Sequence, residues 1–288
     1  MTQHSQSTKD KMKALSELGF SSREIAKLVL GSETKKSSVN RVLASEGTTS
    51  KPKKDAEDNS RILFISDLHI PYHHPDSFAF LQYLKEKYKP TRVICLGDEC
   101  DKHSLSFHDS DPDLYSAGHE LIETQKHMRI LEQMFPRMDI VDSNHGSLVW
   151  RKAKTNGIPR HYIKSYNDVL GVGDGWKWQE DLTLVLPNGQ SVYVHHGKAS
   201  DGLKLSQTSS MNCVQGHYHE KFNVQWWANS LGLYWSMQCG CLIDSKSYAF
   251  QYANVNLRKQ LIGTGLVIDS IPVLEPMILL PDGRWKGP

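Results

Sequence analysis

From residue 61 onward, short apolar segments alternate with segments of helical spacing, and this alternation most constrains the fold. Ile62–Ile65 and Arg92–Leu96 are typical of short buried strands, and a brief strand is expected at Asp139–Asp142. Asp76–Lys89 and Leu121–Phe135 carry apolar residues at the spacing of helices. Strands that alternate with helices predict an α/β protein in which helices cover the sheets.

After Trp178 the pattern becomes strand-rich. The dipeptide Asn188-Gly189 lies between two of the apolar segments and is a strong signal for a hairpin turn. The expected strands are Leu182–Leu186, Val192–His196, Phe222–Trp227, Leu233–Met237 and Gly265–Ile268. These segments extend the α/β pattern almost to the end of the chain.

The first 54 residues form a basic head on a mildly acidic body. They carry 11 Lys+Arg against 5 Asp+Glu, a net charge of +6, whereas the remaining residues carry 23 against 27, a net of −4. Three short helices are expected, at Lys9–Leu18, Ser22–Leu30 and Lys35–Ser45. Ser21 stands three residues before Glu24, the spacing of a capping box at a helix start. A basic, helical head is suited to polyanionic partners.

The third expected helix presents a polar and basic face that can contact phosphates and base edges. The second and third helices, with the turn between them, resemble a helix-turn-helix in which the third helix is the recognition helix. This predicts DNA as a partner, and the alternative is a small helical bundle used for oligomerisation or docking. The candidate nucleic-acid-binding residues are Lys35, Lys36, Ser38, Asn40 and Arg41.

A polar segment separates the head from the rest of the chain. Residues 47–59 include Pro52 and lack large apolar side chains, which predicts a flexible linker. The expected domains are therefore a small all-α helix-turn-helix at 1–46, the linker at 47–59 and an α/β domain at 60–288.

Several classes of protein are disfavoured by the sequence. It contains no apolar run near the ~20 residues that span a bilayer, and Met1–Lys13 is too polar for a secretory signal. The five cysteines are odd in number and widely spread, so neither a disulfide framework nor a CxxC zinc site is expected. We therefore expect a cytoplasmic protein with no membrane partner.

Polar residues of the kinds that bind metals form five clusters, and four of them come at the end of an expected strand. In layered α/β proteins, ligands bind beyond the carboxyl ends of the strands. The five clusters are Asp67-Leu68-His69, Gly97-Asp98, Asn144-His145, His195-His196-Gly197 and Gly216-His217-Tyr218-His219. Their position predicts a single metal-binding or proton-transfer site.

The ordered set of clusters resembles the calcineurin-like metallophosphoesterases over roughly residues 61–220. The family pattern is D-x-H, G-D-x-x-D, G-N-H, H and G-H-x-H, and here Asp101 completes the second motif. The resemblance implies a four-layer α/β sandwich, with two mixed β-sheets flanked by helices. A helix-turn-helix in front of this domain resembles the arrangement of phage and prophage proteins, which implies the cytoplasm of a bacterial host.

The resemblance also implies two divalent metal ions. The first would be held by Asp67, His69, Asp98 and His219. The second would be held by Asp98 as a bridge, with Asn144, His196 and His217. Carboxylate and imidazole ligands suit Mn²⁺, which we expect, and also Fe, Zn or Ni. Catalytic roles are implied for Asp98 and for His145, which would bind the phosphate or protonate the leaving oxygen.

The sequence departs from the family pattern at two positions beside the third motif. Ser143 replaces the usual glycine, and Gly146 replaces an acidic residue whose loss can loosen the orientation of His145. Lys102-His103 stands where Ser/Thr protein phosphatases have Arg-Gly, which disfavours that activity.

A choice also exists within the fourth motif. His195 and His196 alternate across a strand, so only one of them faces the site. We expect His196, because it directly precedes Gly197 as in the family pattern.

The resemblance implies a metal-dependent phosphoesterase, and with the basic head it predicts a phosphodiesterase or nuclease that acts on DNA. The alternatives are a phosphomonoesterase or nucleotide phosphodiesterase, and a DNA-binding regulator without catalysis. Arg151, shortly after the third motif, is either a phosphate contact or an ordinary surface arginine.

Overall fold

Two units divide the chain, Met1–Glu57 and Asp58–Pro288. The computed structural model describes residues 5–17, 21–45, 58–107, 113–247 and 259–288. All of the expected linker except Asp58 and Asn59 lies outside these residues, and so does Leu18 at the expected end of the first helix.

Three helices form the first unit. They are α1 (Gln6–Glu17), α2 (Ser22–Leu30) and α3 (Lys36–Ser45), with a short 3-10 helix at Glu33–Lys35. Their apolar faces meet in a small core that contains Met12, Ile25, Ala26, Val39, Val42 and Leu43. The three predicted helices are therefore present, although Lys35 belongs to the 3-10 turn ahead of the third helix.

Both ends of α2 are closed by local hydrogen bonds. The backbone N–H of Ser21 donates to Glu24 Oε2 at 2.8 Å, and Ser21 Oγ accepts from the Glu24 N–H at 3.4 Å. At the other end Gly31 has φ 71°, and its N–H donates to the Lys27 carbonyl. The capping box anticipated from the Ser21/Glu24 spacing thus begins the helix, and a left-handed glycine ends it.

The first sheet of the second unit has the strand order β11-β10-β1-β2-β3-β4. Strands β1 to β4 are parallel, and β10 and β11 add an antiparallel edge beside β1. The strands are β1 (Arg61–Ile65), β2 (Arg92–Cys95), β3 (Met138–Val141), β4 (Trp176–Gln179), β10 (Gly263–Ile268) and β11 (Ile271–Pro276).

The second sheet has the order β5-β6-β7-β9-β8. Its three inner strands are parallel and its two edges are antiparallel, so this sheet is also mixed. Asn188-Gly189 forms the predicted turn between β5 and β6, with Gly189 at φ 83°. The strands are β5 (Leu182–Val185), β6 (Ser191–His195), β7 (Asn212–Gln215), β8 (Phe222–Asn229) and β9 (Gly232–Cys239).

The two sheets face each other across an apolar layer, and helices cover their outer faces. Ile62, Phe64 and Ile94 of the first sheet belong to the same buried cluster as Val214 and Met237 of the second. The outer face of the first sheet packs on α4 (Ser77–Tyr88), α5 (Ala117–Met134) and α7 (Tyr166–Leu170), and that of the second on α8 (Gly202–Ser209). A last helix, α6 (Leu148–Thr155), follows β3. The predicted fold class of two mixed sheets flanked by helices is confirmed.

The sequence pattern left some elements unnoticed. Helix α5 begins at Ala117, four residues before the predicted start, because Ser116 Oγ accepts the N–H of His119 and caps the first turn. Strands β4, β7 and β11 were not expected. Strands β4 and β11 lie at the ends of the first sheet and carry polar residues or prolines, and β7 is a short strand with a polar residue at each end. No helix in the described parts of the chain is long and apolar enough to cross a membrane.

The cap of α2 gives a test of the first unit. We expect Ser21→Ala to weaken α2 by about 1 kcal/mol, because an orphan N–H of the first turn loses its acceptor. Hydrogen exchange of the α2 amides in the full chain measures the loss. Ser22→Ala, one residue inside the helix, is the control, and equal exchange in the two variants would contradict the assigned cap.

Candidate metal centre

The candidate site lies where the carboxyl ends of five parallel strands from both sheets meet. Each strand is followed within three residues by one or more polar side chains that turn into the same space. The strands and their first site residues are β1 with Asp67, β2 with Asp98, β3 with Asn144, β6 with His196 and β7 with His217. The two-sheet arrangement therefore converts five separate sequence motifs into one cluster.

Four of the site residues have a left-handed backbone. Asp67, His69, Asp98 and His217 have φ angles of 48°, 49°, 48° and 69°. Such angles are unfavourable for residues with a Cβ, although Asp and His tolerate them better than most. They persist here because the loops are held by the surrounding structure, as is common where side chains are aimed at a ligand.

Asp98 is the centre of the cluster. Its Oδ1 accepts the backbone N–H of His145 at 3.1 Å, and its Oδ2 lies 3.1 Å from His196 Nε2 and 3.5 Å from His69 Nε2. The side chain is almost completely buried. One carboxylate thus contacts residues of three other motif loops, which is the position required of a bridging ligand.

Asp67 forms the second buried carboxylate of the site. Its oxygens accept the backbone N–H of His217 at 3.0 and 3.1 Å and the hydroxyl of Ser66, and Oδ1 lies 3.3 Å from His219 Nε2. The D-x-H loop is therefore joined directly to the G-H-x-H loop, 150 residues later in the chain.

The side chains form three groups that could each hold a metal ion, and within each group the ligand atoms lie within 4.8 Å of one another. Two groups contain predicted ligands only, namely Asp67 with His69 and His219, and Asp98 with His196 and His217. Asn144 joins the second of these, because its Oδ1 lies 2.7 Å from His196 Nε2. The third group is His69 with Asp101 and His145, so it shares His69 with the first. All seven residues that the sequence singled out as ligands are thus brought together.

The orientation of the imidazoles fits metal binding. His69 Nδ1 donates to Asp101 Oδ1 at 2.6 Å, and His196 Nδ1 donates to the Leu96 carbonyl at 2.8 Å. Both rings consequently direct Nε2 at Asp98, so Nε2 is the nitrogen that would face a bound ion. Histidines that bind metals are usually held by such a hydrogen bond from the other ring nitrogen, and the mixed oxygen and nitrogen donors suit Mn, Fe, Zn or Ni.

The charges of the buried groups also favour a bound cation. Burial by itself raises the pKa of Asp98, but the charges of His196 and His145 and the hydrogen bond from His196 hold it well below its usual range. Burial lowers the pKa of His196, yet the charge of Asp98, its hydrogen bond and the charge of Asp67 raise it to about 9. The carboxylates thus require positive charge nearby, which protonated imidazole supplies in the protein alone and a metal ion would supply in its place.

The pKa values of the two histidines of the last motif, His217 and His219, shift in opposite directions. The pKa of His217 is lowered, first by burial and then by the charge of His196. Burial lowers the pKa of His219 as well, but its hydrogen bond to Asp67 and the charge of that carboxylate raise it above the usual value. Of these two histidines, His217 is therefore the one that more readily stays neutral, the form in which imidazole binds metals.

His145 lies at the open side of the cluster. Its side chain is 23% exposed, whereas that of Asp98 is 2% exposed. His145 Nδ1 donates to the Asp101 carbonyl, and the same nitrogen lies 3.7 Å from Asp101 Oδ1. Asp101 therefore orients both His69 and His145, a shared role that the sequence spacing did not predict.

Ser143 and Gly146, the two residues that depart from the motif pattern, contact each other. Ser143 Oγ accepts the backbone N–H of Asp98 at 3.0 Å and that of Gly146 at 2.8 Å. A Cβ on residue 146 would lie 2.9 Å from both Ser143 Oγ and Asp142 Oδ1. The hydroxyl of Ser143 therefore joins two motif loops, and the same hydroxyl requires glycine at position 146.

Lys102 is a further residue of the site that the sequence analysis missed. Its Nζ donates to the carbonyls of His145 at 2.8 Å and Gly146 at 3.3 Å, and it also contacts the Tyr166 hydroxyl. The side chain is buried, which is rare for lysine unless its charge is paired or hydrogen-bonded. Lys102 thus ties the His145 loop to the Asp98 loop; its place directly after the G-D-x-x-D motif was the available signal.

The structure distinguishes the two histidines at the end of β6. His196 faces Asp98, whereas His195 Nδ1 accepts the backbone N–H of Lys198 at 3.0 Å. Burial, followed by the charges of Lys198 and His196, lowers the pKa of His195 to about 4. His195 is therefore a neutral histidine directed away from the cluster.

The candidate nucleic-acid-binding residues all lie on the first unit. Lys35 is in the 3-10 helix, where its Nζ donates to the Leu30 carbonyl at 3.2 Å, and the others are in α3. Ser38 is half-buried, and the remaining four are exposed, namely Lys35, Lys36, Asn40 and Arg41. Their shared exposure leaves a basic face available to a partner.

Solved structures similar to this chain include three named proteins. YfcE, a phosphoesterase from E. coli, is 13% identical with a TM-score of 0.40, and the match covers 79% of this chain and 97% of that one. Vps29 from Chaetomium thermophilum is 10% identical with a TM-score of 0.43, covering 79% and 94%. The nuclease MPE from Pseudomonas putida is 11% identical with a TM-score of 0.29, covering 75% and 86%.

No family model and no curated protein matches the chain. The chemistry of the site therefore has to be argued from its own side chains.

The contact between Ser143 and Gly146 predicts non-additive substitutions. We expect Gly146→Ala to cost about 1–3 kcal/mol of unfolding free energy, because the added methyl is forced against Ser143 and Asp142. In a Ser143→Gly background the same change should cost less. Urea unfolding of the four proteins in EDTA measures the difference, with Gly118→Ala as control because a Cβ there meets nothing within 4 Å. Equal costs in both backgrounds would contradict the coupling.

The central position of Asp98 predicts that its substitution weakens metal binding. We expect the wild-type chain to bind two Mn²⁺ ions and Asp98→Asn to weaken binding by at least on the order of 100-fold, since loss of outer partners alone costs 10–100-fold. Titration calorimetry measures stoichiometry and affinity. Asp174→Asn, a change to an exposed carboxylate, is the control. Unchanged binding in Asp98→Asn would show that this residue does not bridge the ions.

Proposed function

We propose that the chain is a metal-dependent phosphodiesterase that acts on DNA. The observation that carries this proposal is the pair of ligand groups that meet at the buried carboxylate of Asp98. Asp67, His69 and His219 would hold one ion, and Asn144, His196 and His217 the other, with Asp98 between them. When bound, a pair of divalent ions acidifies a water molecule and neutralises phosphate oxygens.

His145 is the residue proposed to act on the substrate. It lies at the edge of the ligand groups with its side chain partly exposed, and Asp101 holds Nδ1. Nε2 is then the nitrogen left to contact a phosphate oxygen or to donate a proton to the leaving oxygen. Lys102 fixes the backbone of His145 and keeps this nitrogen in place.

DNA is proposed as the substrate because of the first unit. Its basic face on α3 and the net charge of +6 over residues 1–54 suit a phosphate backbone. A DNA-binding unit on the same chain raises the local concentration of phosphodiester at the catalytic unit. The helix-turn-helix role of α2 and α3 is part of this proposal.

The proposal is tested with Mn²⁺ and four substrates: a chromogenic phosphodiester, a chromogenic phosphomonoester, and labelled single- and double-stranded DNA. We expect hydrolysis of the diester and of DNA. His145→Ala should lower kcat by about 100- to 10,000-fold while Mn²⁺ binding is retained. His217→Ala should lose both activity and metal affinity, and His119→Ala on α5 is the control.

A variant of the first unit tests DNA binding separately from phosphodiester hydrolysis. Lys36→Ala/Arg41→Ala should keep the rate with the small chromogenic diester and weaken binding of duplex DNA, most clearly at low salt. Hydrolysis of the phosphomonoester alone would replace this function with that of a phosphomonoesterase. No hydrolysis of any substrate with Mn²⁺, Fe²⁺, Zn²⁺ or Ni²⁺ would favour a DNA-binding regulator.

A further inference from the structure

A basic segment without acidic residues begins at the third motif. Residues 143–167 contain five Lys or Arg and no Asp or Glu, although residues 55–288 as a whole carry a net charge of −4. These cations lie on or beside α6 and the 3-10 helix Arg160–Tyr162. They are Arg151, Lys152, Lys154, Arg160 and Lys164. Positive charge is therefore concentrated on one part of the second unit.

Aromatic rings are interleaved with these cations. The Arg151 guanidinium lies 4.9 Å from the ring centre of Phe107, and Lys152 Nζ lies 5.4 Å from the same ring. The Arg160 guanidinium lies 5.3 Å from the ring centre of Trp150. Phe107 is 53% exposed and Tyr162 is 76% exposed, which is unusual for large aromatic side chains. The surface thus combines flat rings with unneutralised charge.

The cations are available to an external anion. Within the parts of the chain that the structure describes, none of the five forms an ion pair with a carboxylate. Three of them, Arg151, Lys152 and Arg160, make cation–π contacts with aromatic rings. Among the described residues, no carboxylate therefore has to be displaced before a phosphate contacts them.

This surface is continuous with two loops of the candidate metal centre. Helix α6 begins three residues after His145, so Arg151 lies one helical turn beyond the start of the helix. Phe107 lies six residues after Asp101, on the segment that follows β2 and carries Asp98. The Lys102 side chain joins the two loops through the His145 carbonyl. A polymer bound along the surface would therefore lead to the metal centre.

We propose that Phe107, Trp150 and Tyr162, with Arg151 and Arg160, form a binding surface for single-stranded nucleic acid. Bases of a single strand expose faces that stack on aromatic rings, whereas the bases of a duplex are stacked on one another. The cations would contact the backbone phosphates between stacked bases. Hydrolysis of the bound strand rests on the function proposed above, but binding does not.

Binding is measured by fluorescence anisotropy of the full chain in EDTA, so that it is independent of metal chemistry. The probes are labelled oligo(dT), oligo(U) and a DNA duplex of equal length. We expect Phe107→Ala and Tyr162→Ala each to weaken oligonucleotide binding by about 5- to 100-fold. Trp226→Ala, a change to an exposed tryptophan on β8, is the matched control.

The cations are tested by salt dependence. Each phosphate contact in a single strand contributes about 0.7 to the slope of log affinity against log salt. Arg151→Ala/Arg160→Ala should therefore reduce the slope by about 1.4. Lys126→Ala/Lys204→Ala, which removes two cations from α5 and α8, should leave it unchanged.

The outcomes separate this proposal from the proposed function. Weaker binding of oligo(dT) or oligo(U) in the aromatic variants supports the surface. Unchanged single-strand binding in those variants, with loss only in Lys36→Ala/Arg41→Ala, would overturn it. If the aromatic variants bind oligonucleotides poorly and the wild-type chain hydrolyses none of the substrates, the binding surface is upheld and the proposed catalytic function is overturned.

Discussion

The buried carboxylate of Asp98 is the constraint on which the rest of the site depends. A charge removed from water is costly unless it is paired and hydrogen-bonded. Asp98 accepts the His145 N–H and faces the imidazoles of His69 and His196, so three loops converge on one side chain. Left-handed backbone at Asp67, His69, Asp98 and His217 persists because these contacts outweigh its local cost.

The His145 loop shows how a departure from a family pattern can preserve geometry. Ser143 accepts two backbone N–H groups, and the space beside its hydroxyl requires glycine at 146. Orientation of His145, which an acidic residue at 146 would otherwise influence, comes from Asp101 and Lys102 on the neighbouring loop. The missing acid is therefore no argument against a well-ordered His145.

The proposed single-strand binding surface lies on segments that continue from the same loops. Two motif loops continue into α6 and into the segment that contains Phe107, so groups that bind substrate would share a support with groups that act on it. This arrangement differs from the basic face of the first unit, which belongs to a separate part of the chain. We propose different forms of nucleic acid for the two surfaces, because exposed rings stack on unpaired bases, whereas a recognition helix fits the major groove of a duplex.

The sequence by itself determined the fold class, the bounds of α2, the Ser21 cap, the β5–β6 turn and the identity of the clustered side chains. The α/β class, the helix, the cap and the turn depend on periodicity and on hydrogen bonds within a few residues, which local sequence records. The two mixed sheets and the clustered side chains were predicted from the resemblance of the ordered motifs to a known family. The choice of His196 followed from strand alternation together with the family pattern. The shared partner of His69 and His145, the burial of Lys102 and the hydrogen bond from the Asp98 N–H to Ser143 were decided only by tertiary structure. Asp101 lies 32 residues from His69, and Lys102 lies 43 from His145. Such contacts exist only once β1, β2 and β3 lie side by side in the first sheet and bring their carboxyl ends together.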